Sequence, residues 1–182
     1  MRKTDTQSPK SLFDNGDKDR KSVSNCIKKL QVLAIEQVKK KHPSFPEHAI
    51  PKPKYTDKTA NGLTKCIIDY VTFNGYQAER INSTGRQIDK RKTVKDSIGR
   101  TRTIGSVKWI KGNSQNGTAD ISATIKGRAV KIEVKCKATG DNYQSSDQKL
   151  YQKKIEQAGG VYVIARTFED FYNWFNHFIS RL

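Results

Sequence analysis

With 182 residues, the chain is long enough for one ordinary domain plus an appendage. Its net charge of +17 calls for a polyanionic partner, most simply nucleic acid. No stretch approaches about 18 apolar residues, and the N-terminus lacks an apolar signal core, so a soluble, unexported protein without membrane association is expected.

Residues 1–20 are polar and charged and read as a disordered basic arm. Ser22 or Ser24 then caps a helix running to about Lys41, with Val23, Ile27, Leu30, Ala34 and Val38 at helical spacing. Lys39, Lys40 and Lys41 complement the negative end of its dipole. Pro43, Pro46, Pro51 and Pro53 make the stretch to Lys54 an extended linker. Residues 1–54 are therefore arm, helix and linker, and 55–182 form the main domain.

That domain opens with a helix from Asp57 or Thr59 to about Phe73, whose buried stripe is Leu63, Ile67, Tyr70 and Val71 and which Asn74-Gly75 stops. A strand over Gln77–Ser83 follows. Between Arg86 and Lys111 lie Arg86, Lys90, Arg91, Lys92, Lys95, Arg100, Arg102, Lys108 and Lys111, opposed only by Asp89 and Asp96. The segment reads as an exposed β-loop that tracks phosphates, with a strand at Thr103–Trp109. Trp109 is either a core anchor, the preferred reading, or a platform for base stacking.

The most informative stretch is Gly117-Thr118-Ala119-Asp120 through Glu133-Val134-Lys135. Two alternating arms flank Lys126-Gly127, which reads as a two-residue hairpin turn. Pairing Ile125 with Arg128 sets Ile121 opposite Ile132, Ala123 opposite Val130 and Asp120 opposite Glu133. That register buries the aliphatic residues and gathers Asp120, Glu133 and Lys135 on the other face, so a one-residue slip would destroy both arrangements. Two close carboxylates repel unless a cation sits between them. Mg²⁺, with Mn²⁺ as a substitute, suits Asp120, Glu133 and the carbonyl of Val134, and the Lys135 ammonium suits the orientation of an attacking water or the charge on a phosphate.

After the hairpin, residues 137–143 form a polar loop. Ser145 and Gln148 have capping-box spacing at the start of a helix that ends at Ala158 before Gly159-Gly160. Val161–Ala165 is a short buried strand, and a last helix from Phe168 packs Phe171, Trp174, Phe175 and Phe178 on the sheet. Cys26, Cys66 and Cys136 have no CxxC spacing and join no cluster with His42, His48 and His177, so reduced thiols in a cytoplasm and no zinc site are expected. Cys136 should face the core.

The Asp120…Glu133-Val134-Lys135 motif resembles the PD-(D/E)XK nucleases, in particular the VRR-NUC branch near the Holliday-junction resolvases. Asn74-Gly75-Tyr76-Gln77-Ala78-Glu79-Arg80-Ile81-Asn82 is similar to the family's strand after its first helix, and Gly117-Thr118-Ala119-Asp120 to its Gly-x-Pro-Asp. Ser145-Ser146-Asp147-Gln148 resembles the helix-opening Ser…Gln, and Gly159-Gly160-Val161-Tyr162-Val163-Ile164 the last strand. The resemblance implies an α/β, restriction-endonuclease-like mixed β-sheet flanked by helices, here with an N-terminal helical appendage. It implies a Mg²⁺-dependent DNA endonuclease of phage or mobile-element type, working in a bacterial or phage-infected cytoplasm.

In that family the residue matching Gln148 belongs to the active site, a role that competes with its capping role. Two departures stand out. Ala119 replaces a proline that contributes only backbone, and Asn61 stands near the place of a first-helix acid, with Asp57 and Asp69 as weak substitutes. Without a third carboxylate, one metal is expected. Arg80, Asn82, Arg86, Arg91, Lys92, Arg100 and Arg102 are the candidates for holding DNA. Such phosphate contacts carry no base information, so cleavage should follow DNA structure (a junction, flap or nick), and junction cutting would suit a homodimer. The alternative is an inactive nucleic-acid-binding module on a nuclease scaffold.

Overall fold

The computed structural model describes residues 16–82, 85–110, 112 and 115–181, with side chains from residue 25 onward. Most of the expected basic arm, the side chains of Ser22 and Ser24, Ser83 and Lys111 lie outside the described residues.

Strands β6 (Ile121–Ile125) and β7 (Arg128–Val134) pair antiparallel with Ile121 opposite Ile132 and Ala123 opposite Val130, the register expected from burying one face. The turn takes two left-handed residues, Lys126 at φ 47° and Gly127 at φ 75°, the geometry that matches the twist of a tight hairpin. Lys126 also donates from Nζ to the carbonyl of Ile179 at 2.9 Å.

Ile121, Ile125, Val130 and Ile132 are fully buried beneath helix α2 (Ala60–Phe73), which brings Leu63, Ile67 and Val71 to them. Thr59 caps that helix by accepting from the Gly62 N–H at 3.0 Å. Helix α4 (Phe168–Ser180) adds Phe168, Phe171 and Phe175, with the Tyr70 ring edge-on to Phe168 at 5.7 Å and to Phe175 at 5.1 Å.

Helix α1 (Gly16–Lys41) begins before the serines expected to cap it, and it is not an appendage. Cys26 and Leu30 belong to the same buried cluster as Leu63 and Phe175. Leu30 is fully buried, a placement that stabilises the docked helix by about 1.5–3 kcal/mol. The proline-rich stretch is pinned as well: Glu47–Ala49 forms a 3₁₀ turn, Ile50 is buried, and the Pro53 carbonyl accepts from Gln31 at 3.0 Å. Helical periodicity shows that a stripe needs cover, but not which surface supplies it.

Strand β1 (Gln77–Arg80) pairs antiparallel with β6, and β8 (Val161–Ala165) pairs parallel with β7, giving a mixed sheet of order β1-β6-β7-β8. Helices α2 and α4 cover one face. Helix α3 (Ser146–Gln157) lies over part of the other, through Tyr151 against Tyr162. The single strand expected at Thr103–Trp109 is instead interrupted at Gly105, at φ 105°. The segment forms two ribbons: β2 (Arg86–Asp89) with β5 (Val107–Ile110), and β3 (Lys92–Lys95) with β4 (Thr101–Ile104). Neither buries a face, so the alternation that reveals a core strand is missing from it. Among the described residues, no helix is long and apolar enough to cross a membrane.

Candidate active site

Asp120 precedes β6 and continues the hairpin register, which sets it opposite Glu133. Its carboxylate Oδ2 accepts from the Val134 N–H at 2.9 Å, while its carbonyl accepts from the Ile81 N–H at 2.7 Å. A strand residue's N–H and C=O leave the same edge, so the Val134 carbonyl lies toward Asp120. Gly117, at φ 72°, lets the preceding loop close on the start of α3, because a Cβ there would collide with the Asp147 backbone.

Glu133 is only 2% exposed. Burial, and then the negative charge of Asp120, push its carboxyl up to about 7, against the pull of Lys135 and Tyr162. Its Oε2 accepts from the Tyr162 hydroxyl at 3.3 Å, and Lys135 Nζ stands 3.6 Å from Oε1. Lys135, itself buried, is also held by Asp141 at 3.1 Å.

Gln148 closes the capping box and also reaches Glu133. Its Oε1 accepts from the Ser145 N–H at 2.9 Å, its own N–H donates to Ser145 Oγ at 3.2 Å, and its Nε2 donates to Glu133 Oε1. A primary amide has an acceptor end and a donor end, so one side chain closes the capping box and holds the catalytic candidate.

Asp120 and Gln148 line a cavity of about 480 Å³ with Gly117, Asp147, Gly85 and Trp109. Trp109 is 58% exposed there and lies against Gly85, so the preferred core reading is corrected. Among the described residues, the ribbon that carries it has no second layer to bury an indole.

The other expected residues are not gathered at the cavity. Arg80 pairs with Ile121 and shares its face, the one opposite Glu133. Asn82 is exposed just beyond β1. Arg86, Arg91, Lys92, Arg100 and Arg102 spread along the ribbons. Arg91 forks onto Asp89 at 2.7 Å, and Arg102 faces Asp96 at 3.6 Å.

Tyr162, Asp141 and Asp147 went unrecognised as site neighbours. Tyr162 reaches Glu133 through the parallel pairing of Lys131 with Tyr162, whose register no local pattern encodes. Asp141 arrives by way of a loop after the turn Lys137–Thr139. The two substitutes are committed elsewhere: Asp57, just before α2, accepts from the Phe168 N–H at 3.2 Å, and Asp69, on α2, is held by Tyr55 at 2.8 Å and Lys65 at 2.7 Å. Cys136 is buried, with its thiol donating to the Asp57 carbonyl at 3.3 Å.

The donor set suits a hard divalent cation. Asp120 and Glu133 repel each other across the hairpin, and that repulsion adds to burial, the larger cause, in raising the Glu133 carboxyl. With the Val134 carbonyl they offer three oxygens. Among the described residues no group of three His, Cys, Asp or Glu forms a ligand cluster. Comparison with protein-family models, curated proteins and solved structures finds no significant match.

Proposed function

We propose that this protein is a Mg²⁺-dependent DNA endonuclease of the PD-(D/E)XK superfamily, close to its VRR-NUC branch, on a restriction-endonuclease-like sheet. The observation that carries the reading is the buried Glu133 in register with Asp120 and in reach of both Lys135 and Gln148. Asp120, Glu133 and the Val134 carbonyl would hold Mg²⁺ or Mn²⁺. When bound, the ion lowers the pKa of a water and neutralises phosphate charge. Lys135 orients that water and offsets charge on the phosphate, held in place by Asp141. Gln148 fixes the orientation of the Glu133 carboxylate, and Tyr162 holds its other oxygen. The cationic ribbons beside the cavity grip DNA by its phosphates, which favours structure over sequence.

A second reading, an inactive DNA-binding module, draws on one observation: the carboxylates nearest the place of the family's first-helix acid are engaged elsewhere. The two readings part in one assay. Supercoiled plasmid, flap and four-way-junction DNA are incubated with Mg²⁺ or Mn²⁺ and wild type, Asp120→Ala or Lys135→Ala. The nuclease reading requires metal-dependent cleavage that vanishes in both variants while gel-shift binding persists. Wild type that binds all three DNAs and cuts none is the module.

A further inference from the structure

The segment from Arg86 to Ile110 forms an arm rather than a loop. One register runs through both ribbons, from Arg86 opposite Ile110 to Lys95 opposite Thr101, with the Lys90 N–H bonded to the Ser106 carbonyl between them at 3.2 Å. Ten residues a side, at about 3.3 Å each, make it about 30 Å long. All of its strand residues are exposed except Ile88, which is half-buried. A lone two-stranded ribbon is marginal in water, and this one exposes Val94, Ile104 and Val107 along its length. It is shaped to be covered.

Charge selects the cover. Eight Lys or Arg stand against two Asp between Arg86 and Ile110. Both acids are occupied within the arm, Asp89 by Arg91, and Asp96 by the tip turn and Arg102. A second copy would bring the same excess and be repelled, whereas a polyanion is attracted. On β3–β4 the side chains of Lys92, Val94, Arg102 and Ile104 share one face, cations interleaved with aliphatics. The B-DNA major groove, about 12 Å wide, admits a two-stranded ribbon, and the A-form RNA groove does not.

On the reading of the chain as a DNA enzyme, we propose that this arm enters the major groove of duplex DNA. Its length is close to one helical turn, about 34 Å. Lys92, Arg86 and Lys108 meet the flanking phosphates, and Val94 and Ile104 make apolar contact along the groove without hydrogen-bonding any base, so the phosphate contacts dominate. The root of the arm, at Gly85 and Trp109, is a wall of the Asp120 cavity, so the docked duplex is led to it.

The test measures binding of the full-length protein, made cleavage-silent by Asp120→Ala, to three duplexes: unmodified DNA, DNA whose cytosines carry glucosylated hydroxymethyl groups that fill the major groove, and RNA. Affinity should fall about tenfold or more on the glucosylated DNA and on RNA, and change little when a minor-groove ligand such as netropsin is added. Lys92→Ala with Lys108→Ala should lower the log–log salt slope by about two, near 0.9 for each phosphate released. Equal affinity for plain and glucosylated DNA overturns the proposal, as does an unchanged salt slope. So does a DNA-free dimer of the 20.7 kDa chain that Val94→Asp with Ile104→Asp dissociates, since the arm's partner would then be a second copy. Groove-dependent binding by an uncleaving wild type would sink the nuclease reading and leave the arm in place. Cleavage with groove-blind binding would do the reverse.

Discussion

Gln148 donates to Glu133 through one end of its amide and accepts from Ser145 through the other, which ties the start of α3 to the most buried carboxylate of the sheet. Glu at this position still completes a capping box but offers no donor to Glu133 and adds a like charge. Gln148→Glu should therefore keep the melting temperature within about 2 °C of wild type, while cleavage falls by roughly tenfold or more. Gln148→Ala should lose both, with stability down by about 0.5–2 kcal/mol. Melting curves and cleavage rates measured on the same preparations separate the two roles.

Glu133 titrates near 7 in the folded chain and at its usual 4.5 when unfolded, so the native state holds more protons between those values. Without metal, its contribution to stability is fully present below about 4.5, is lost as pH rises through 7, and is on the order of 3 kcal/mol. Wild type in EDTA should lose stability over that window relative to Glu133→Gln, and Mg²⁺ should restore more of it at pH 8 than at pH 5. Denaturant unfolding at several pH values measures both. Parallel curves for the two proteins would refute the burial-driven shift.

Asp141 holds Lys135 from a half-exposed loop, its side chain 56% exposed, so the pair adds little to stability. Asp141→Asn should leave the melting temperature within about 2 °C and lower the cleavage rate by roughly three- to tenfold, because the ammonium loses its second anchor. The loss should appear in kcat more than in KM. A change in KM alone would mean that Asp141 serves DNA binding instead.

Trp109 is one of two tryptophans, and the other, Trp174, is stacked on Phe178 at 5.0 Å. An exposed indole at a cavity wall can stack an unpaired base, worth about 1–3 kcal/mol. Trp109→Ala should spare folding yet weaken binding to flap or junction DNA by roughly tenfold or more, with intact duplex much less affected. Quenching of its fluorescence by flap DNA in the wild type is the complementary measurement.

Gly127 holds φ 75° at the turn on which the Asp120–Glu133 register depends. Gly127→Val forces a branched residue into that region and should cost about 1–3 kcal/mol, or a few degrees of melting temperature.

The hairpin register, the aliphatic face of β6 and β7, the stripe of α2 and the aromatic face of α4 were legible from residue order. Each is a local consequence of side chains alternating along a strand or recurring along a helix, joined by a turn only two residues long. Asp120, Glu133 and Lys135 could be brought together on paper for the same reason. The docking of α1 through Leu30, the exposure of Trp109, and the arrival of Tyr162 and Asp141 were not legible. They depend on which distant surface covers a stripe, on the parallel register of β7 with β8, and on a ribbon whose strand residues stay exposed apart from Ile88. Contacts between segments far apart in the chain are set by the free energy of the assembled core, and no short window of residues encodes it.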